Sequence, residues 1–471
     1  MLAALIGFAP LEFRIHVPVV SFQGTETVSA VVYVSRKTEE PRFGPDWGDP
    51  QPCYSAVFKA KAGDVLTVDA GNAVGFPGKL SALPAGEYTV QAVIDRNLGG
   101  RTIGDSPGNL YSKPLKITLD PSSGGEVTLE CDQVVKEKPL VNTTQVRQIA
   151  IPSRLLSAWY KRPTSIKATV VLPSSYDGKR KFPAVYIAQG FGSTFQDQDY
   201  LRLAVRTMRE GKPFVNVVID ANCPGGHSVF ADSANNGPWA KALTTEFIPA
   251  LERQFRLVAK PSARLLNGHS SGGWTSLWLQ VTYPDFFGGT WSTSPDPVDF
   301  HDFQMIDLYK PGTNMFTDEK GQPRPLARMD GKVWLLYKAF SDMERPIRGE
   351  QLGSFEWVFS PRGKDGQPMQ LWNRDTGAID SSVAAAWRKY DIADKLRREW
   401  PTLSPKLKGK LHVYTGEEDT FYLDGAVRRL KVEMKQLGSD AKVELFPGNH
   451  FTVMTPALWG RIDHEMAATV K

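Results

Sequence analysis

Arg264-Leu265-Leu266-Asn267-Gly268-His269-Ser270-Ser271-Gly272-Gly273-Trp274 compresses a strand, a sharp turn and a helix start into a single short run. Within it, Gly268-His269-Ser270-Ser271-Gly272 fits G-x-S-x-G, in which a serine sits on a strained strand-to-helix corner and flanking glycines let two backbones approach where a side chain would clash. Ser270 is therefore the candidate nucleophile. Five small residues alone also suit an ordinary glycine turn, so the flanks decide. Residues 263–266 make a short apolar strand, and residues 274–282 (WTSLWLQVT) have the character of a helix that Pro284 stops.

Outward from that corner, strands and helices alternate. Residues 166–172 (IKATVVL), 184–188, 214–219 (FVNVVI), 289–292, 411–414 and 443–445 read as strands, while 200–209 and 239–255 read as helices. Apolar strands alternating with helices predict an α/β class with a doubly wound, mostly parallel sheet that carries its ligand at the strands' carboxyl ends. The first part of the chain has a different pattern. Residues 13–17, 28–34, 65–68, 88–94 (YTVQAVI), 115–119 and 127–129 are short and extended, separated by turn-rich pieces such as Gly99-Gly100. This predicts an all-β immunoglobulin-like sandwich over 1–137, a linker at Lys136-Glu137-Lys138-Pro139, and a second domain over 138–471.

Size and charge agree with two domains and narrow the function. At 471 residues and 41% hydrophobic, the chain exceeds one ordinary domain. A net charge of +5 with no basic block or acidic tail gives no support for nucleic-acid or anionic-membrane binding. No apolar run is long enough to span a membrane. Residues 1–10 (MLAALIGFAP) are apolar but short and lack a basic start; they are read as a trimmed export remnant or a first strand, and the expectation leans toward a secreted or periplasmic protein. Cys53, Cys131 and Cys223 form neither a metal cluster nor a disulfide framework; at most Cys53 pairs with Cys131, and separate buried thiols are the plainer reading. No feature encodes the oligomeric state.

A serine needs a base, and there are seven histidines to choose from. His16, His412 and His464 lie in regular elements and read as structural. His227 and His301 sit on loops able to line a cleft. His269 adjoins the nucleophile but is expected to point elsewhere along the turn. His450, in Phe446-Pro447-Gly448-Asn449-His450, follows the last strand on the same rim as Ser270 and is the candidate general base. The residue that orients it should come between Ser270 and His450. Glu417-Glu418-Asp419 follows a strand, and Asp419 is preferred over Glu418, with Asp424 third. Backbone N–H groups of Ser271 and of Phe191, in Gln189-Gly190-Phe191-Gly192, are the candidate oxyanion donors. No third glycine follows at Phe195, so that glycine pair is not a dinucleotide fingerprint.

Taken together, Gly268 to Trp274 with Tyr283-Pro284-Asp285-Phe286-Phe287-Gly288, the leader Val171-Leu172-Pro173-Ser174-Ser175-Tyr176, Phe182-Pro183, Gln189 to Gly192, and Asn236-Gly237-Pro238-Trp239 with Glu246-Phe247-Ile248-Pro249 resemble the Putative esterase family of α/β-hydrolases, which includes enterochelin-esterase-like and feruloyl-esterase-like enzymes. The resemblance covers about 145–300 and 405–460. It implies a Ser-His-Asp carboxylic-ester hydrolase with Ser270 as nucleophile, His450 as base and Asp419 as acid, working without metal or cofactor on a small-molecule or glycan-linked ester. Gln189 departs from the His that many relatives carry there, which puts in doubt a polar role for that side chain. Gln189, His269 and Trp372 are the candidate substrate contacts. Trp372 belongs to an aromatic-rich insertion, about 296–404, read as a cap over the cleft, although for any single one of its rings the insertion's own core is the favoured place. The competing readings are an acyltransferase, a serine peptidase, and an inactive, glycan-binding homologue.

Overall fold

A computed structural model describes residues 10–19 and 22–470. Apart from Pro10, the apolar start read as an export remnant lies outside them. The described residues divide into two compact units. One holds the chain up to Lys138 together with Asn222–Gly226 and Lys338–Ser354; the other holds Pro139–Ala221, His227–Tyr337 and Phe355–Lys471.

The first unit is β-rich. Leu11–His16 is the middle strand of a three-stranded sheet, antiparallel to Val65–Asp69 and parallel to Gly125–Glu130. Its alternation puts Leu11, Phe13 and Ile15 inside. A second sheet is built on the long pair Glu26–Ser35 and Gly86–Asp95. Cys53–Ala60, which lacks a clean alternation and was not read as a strand, pairs with the outer side of Glu26–Ser35. One apolar cluster joins residues of both sheets, among them Phe13, Val32, Leu66, Val90 and Val127. Cys53, Cys131 and Cys223 are all buried and free.

The second unit is organised by eight strands: β1 (Val146–Pro152), β2 (Ser165–Val171), β3 (Ala184–Ala188), β4 (Val215–Ile219), β5 (Arg264–His269), β6 (Gly289–Thr293), β7 (Leu411–Gly416) and β8 (Lys442–Phe446). They pair in the order β1-β2-β4-β3-β5-β6-β7-β8. β2 runs antiparallel to its neighbours, and the run from β4 to β8 is parallel. β3, β4 and β6 are buried along their whole length, as parallel strands covered on both faces require. The helices that matter to the site are α1 (Gln198–Ala204), α2 (Ser271–Thr282), α3 (Ile392–Leu407), α4 (Leu423–Gln436) and α5 (Pro456–Thr469). Leu265 of β5 packs in a cluster with Leu458, Ile462 and Met466 of α5, whereas the α-carbon of Gly268, an odd number of residues further on, lies against α2. The two helices therefore cover opposite faces of the sheet.

Two expectations need correction. The helix expected over 200–209 ends at Ala204: Glu210 and Gly211 both take positive φ (47° and 76°), so Met208–Arg209 turns back on Lys212–Pro213 as a hairpin. The insertion at about 296–404 is not one piece. Its stretch Lys338–Ser354 packs in the first unit, where Ile347 joins Val31, Tyr33 and Val93, and Arg348 forks onto Asp95. In the second unit, Phe355, Phe359, Trp387 and Tyr390 pack with Phe300, Phe303, Trp274 and Trp278 as a shared aromatic core.

Candidate active site

Ser270 stands between β5 and α2 with φ 59° and ψ −128°, a backbone conformation costly for any residue but glycine. Packing enforces it. A Cβ on Gly268 would lie 2.0 Å from the Gly272 carbonyl oxygen, and one on Gly272 would lie 2.1 Å from that of Ala188 at the end of β3. Neither backbone atom can move away, so both positions exclude every side chain. The corner is also tied to β6: Ser270 N–H donates to the Thr293 carbonyl at 3.0 Å, and Asp296 N–H donates to the Ser270 carbonyl at 3.3 Å.

β7 and β8 bring the other two residues together. The His450 Nδ1 to Asp419 Oδ2 distance is 2.8 Å, and both side chains are buried. The second carboxylate oxygen of Asp419 accepts the Phe421 N–H at 2.9 Å. Burial pushes the Asp419 carboxyl up, but the charge and hydrogen bond of His450, the Phe421 N–H and His269 bring it net below its usual range. With Asp419 as a carboxylate, Nδ1 carries the imidazole proton and Nε2 keeps the lone pair. Glu418 is exposed, and Asp424 is turned to Arg328 at 3.1 Å, so neither competes for the imidazole.

His269 does not point away. Its ring is 4.5 Å from that of His450, with Nδ1 3.2 Å from the Thr293 hydroxyl. Burial first, and then the neighbouring His450, push its pKa down to about 3, so it is a neutral ring packed against the candidate base. Two further rings, Phe421 and Phe451, stand edge-on to His450 at 5.0 and 5.3 Å, and Phe451 is 60% exposed. The remaining histidines are engaged locally. His16, His301 and His464 face Glu130, Asp307 and Glu210; His412 stacks on Trp291; His227 accepts the Val229 N–H.

The loop after β3 reaches the corner. A Cβ on Gly190 would lie 3.5 Å from the Ser270 Cβ. The Gly190 N–H donates to the Tyr200 hydroxyl, which α1 presents. Phe191 is partly exposed, and its ring is 6.4 Å from that of His227. Gln189 is fully buried, and neither its amide oxygen nor its amide nitrogen has a hydrogen-bond partner. Ser271, at the first turn of α2, donates its hydroxyl to Asp296 at 2.5 Å. Trp372, expected as a substrate contact, is instead buried at 2% exposure. Arg374 covers the ring at 3.8 Å, and its guanidinium pairs with buried Glu356.

Tyr200, Asp296, Phe421 and Phe451 were not singled out from the sequence. Asp296 had a readable signal, a carboxylate just past a buried strand next to the elbow strand. The others had none, because ring and hydroxyl contacts across loops leave no spacing to read.

The Putative esterase profile matches residues 161–432, more than half of the chain, and spans the elbow, the loop after β3 and Asp419. This chain belongs to the Putative esterase family. Among proteins similar to this family member, Esterase MT1326 of Mycobacterium tuberculosis (strain CDC 1551 / Oshkosh) is 30% identical over 146 residues, which are 29% of this chain and 30% of that protein. The uncharacterized protein YbbA of Bacillus subtilis (strain 168) is 30% identical over 138 residues, 27% of this chain and 55% of that one. The matched stretches thus span from about a third to about half of these relatives' lengths. A solved ferulic acid esterase is 13% identical and covers 69% of this chain and 100% of its own, with a TM-score of 0.42. Among the described residues no helix is long and apolar enough to cross a membrane, and no group of three or more His, Cys, Asp or Glu is arranged to hold a metal ion.

Proposed function

We propose that this chain is a serine carboxylesterase of the α/β-hydrolase type that works through an acyl-enzyme. Ser270 attacks the ester carbonyl as its hydroxyl proton passes to Nε2 of His450, and the same imidazolium then protonates the departing alcohol. Asp419 keeps the imidazole in the required tautomer. The N–H groups of Ser271 and Phe191 receive the oxyanion; Tyr200 occupies the Gly190 N–H, which favours Phe191 as the donor from that loop. Water attacks the acyl-enzyme in the second half, with His450 again as base.

The observation that carries this reading is the buried 2.8 Å contact between His450 Nδ1 and Asp419, beside a serine held at positive φ. The substrate class proposed is a small-molecule or glycan-linked carboxylic ester.

Hydrolysis of a graded set of p-nitrophenyl esters and a feruloyl ester by wild type and Ser270→Ala tests the proposal. The expected result is a loss in the variant of at least about 10³-fold in kcat. Equal activity in both proteins, or none in either, removes the reading.

A further inference from the structure

Asp296 is the buried acid at this site that the mechanism above leaves unused. It follows β6, and Asp419 follows β7; these are neighbouring strands, so both acids stand past the carboxyl ends of adjacent strands, Asp419 on the His450 imidazole and Asp296 on the Ser271 hydroxyl. Asp296 is anchored at both ends. Its N–H donates to the Ser270 carbonyl and its carboxylate accepts the Ser271 hydroxyl at 2.5 Å, which ties it to the nucleophile and to the adjacent candidate oxyanion donor.

We propose that Asp296 is a positioning residue of this site: it fixes the first turn of the elbow helix through Ser271 and supplies a second carboxylate that stabilises the imidazolium of His450 formed when Ser270 gives up its proton. The inference rests on the esterase reading. In the step concerned, the Ser270 O–H bond breaks and the Nε2–H bond of His450 forms, while the oxygen's electron pair makes the bond to the acyl carbon and the carbonyl π pair moves onto the oxyanion. The positive charge created on the ring then faces two acids rather than one.

The electrostatics agree with the geometry. Burial pushes the Asp296 carboxyl up to about 6, against the pull of the Ser271 hydrogen bond and of His450, while Asp419 pushes the same way as burial. Asp296 is therefore charged above about pH 6 and loses that charge as the pH falls through this value. The other titratable group within its field is the Tyr337 phenol, which burial holds protonated and which donates to Gln304 at 2.6 Å. Among the described residues, His450 is the one group of potential positive charge that acts on the Asp296 carboxyl.

Asp296→Asn separates charge from hydrogen bonding, because the amide oxygen still accepts the Ser271 hydroxyl. The measurement is kcat and kcat/KM for p-nitrophenyl acetate against pH, with thermal melting as a control. Losing the carboxylate makes the imidazolium less favourable, so the acid limb is expected to move to lower pH by about one unit, with the plateau kcat about tenfold lower and KM changed less. Ser271→Ala removes the hydrogen bond that favours the charged form of Asp296 and is expected to move the limb the same way by a smaller amount; it also stands in if Asp296→Asn does not fold. Limbs that coincide with wild type, or move to higher pH, overturn the proposal, as does a loss confined to KM. A dead Ser270→Ala beside an unmoved limb in Asp296→Asn removes this proposal alone, whereas a fully active Ser270→Ala removes the esterase reading and this inference with it.

Discussion

Asp95 in the first unit and Asp419 in the second are both buried aspartates, and they differ in what answers them. Asp95 meets a guanidinium: Arg348 contacts both its oxygens, at 2.5 and 2.7 Å, and also donates to the carbonyls of Gly100 and Pro224, while Asn109 and the Asn97 N–H add further donors. Asp419 meets an imidazole and one backbone N–H. A guanidinium keeps its proton at every accessible pH, so the Asp95 pair is a fixed charge that fastens one piece of chain to another. An imidazole gives and takes a proton near neutrality, so a carboxylate held against it biases a proton transfer. The same residue type, equally buried, is a fastening in one unit and an element of candidate chemistry in the other; the partner decides which.

Three substitutions break or sharpen this contrast. Asp419→Asn is expected to lower kcat by roughly 10³ to 10⁴-fold with a melting temperature close to wild type, since the orientation of the imidazole is lost while the packing stays; rates on p-nitrophenyl esters beside a thermal melt check it. Arg348→Ala is expected to do the reverse. It strands the Asp95 carboxylate and costs about 3–5 kcal/mol of stability in denaturant unfolding, with kcat/KM of the folded protein little changed. A large loss of turnover at unchanged stability would refute the division of roles. Glu418→Gln, one residue from Asp419 but exposed, should move both quantities within error, and an effect on kcat approaching that of Asp419→Asn would reassign the acid.

Much of the architecture was legible because it depends on local pattern. Continuous apolar runs such as 184–188 and 411–414 report strands buried on both faces, and the glycines around Ser270 report a corner where backbones touch. β1 was not read: it is an edge strand that is mostly partly buried or exposed, and its one buried residue is the polar Gln148, so it offers little apolar contrast. The helix expected to run to residue 209 stops short because turn conformation at Glu210 and Gly211 outweighs helical spacing. The insertion's rings were read together as a cap, yet spacing cannot say which partner a ring will meet; Trp372 lies buried under Arg374, and Phe340 packs edge-on to Trp47 in the first unit.

The sequence by itself determined that this chain alternates strand and helix after a β-rich start, that Ser270 occupies a strained corner, and that Asp419 and His450 follow late strands. These follow from steric rules that act over a few residues. Only the tertiary structure decided which carboxylate meets His450, that His269 packs against the same ring, that Asp296 bonds to Ser270 and Ser271, and that part of the insertion fastens to the first unit through Arg348. Those outcomes depend on which strand ends become neighbours in the sheet, and on distances between residues far apart in the chain. Chain closure sets these, and no local pattern encodes them.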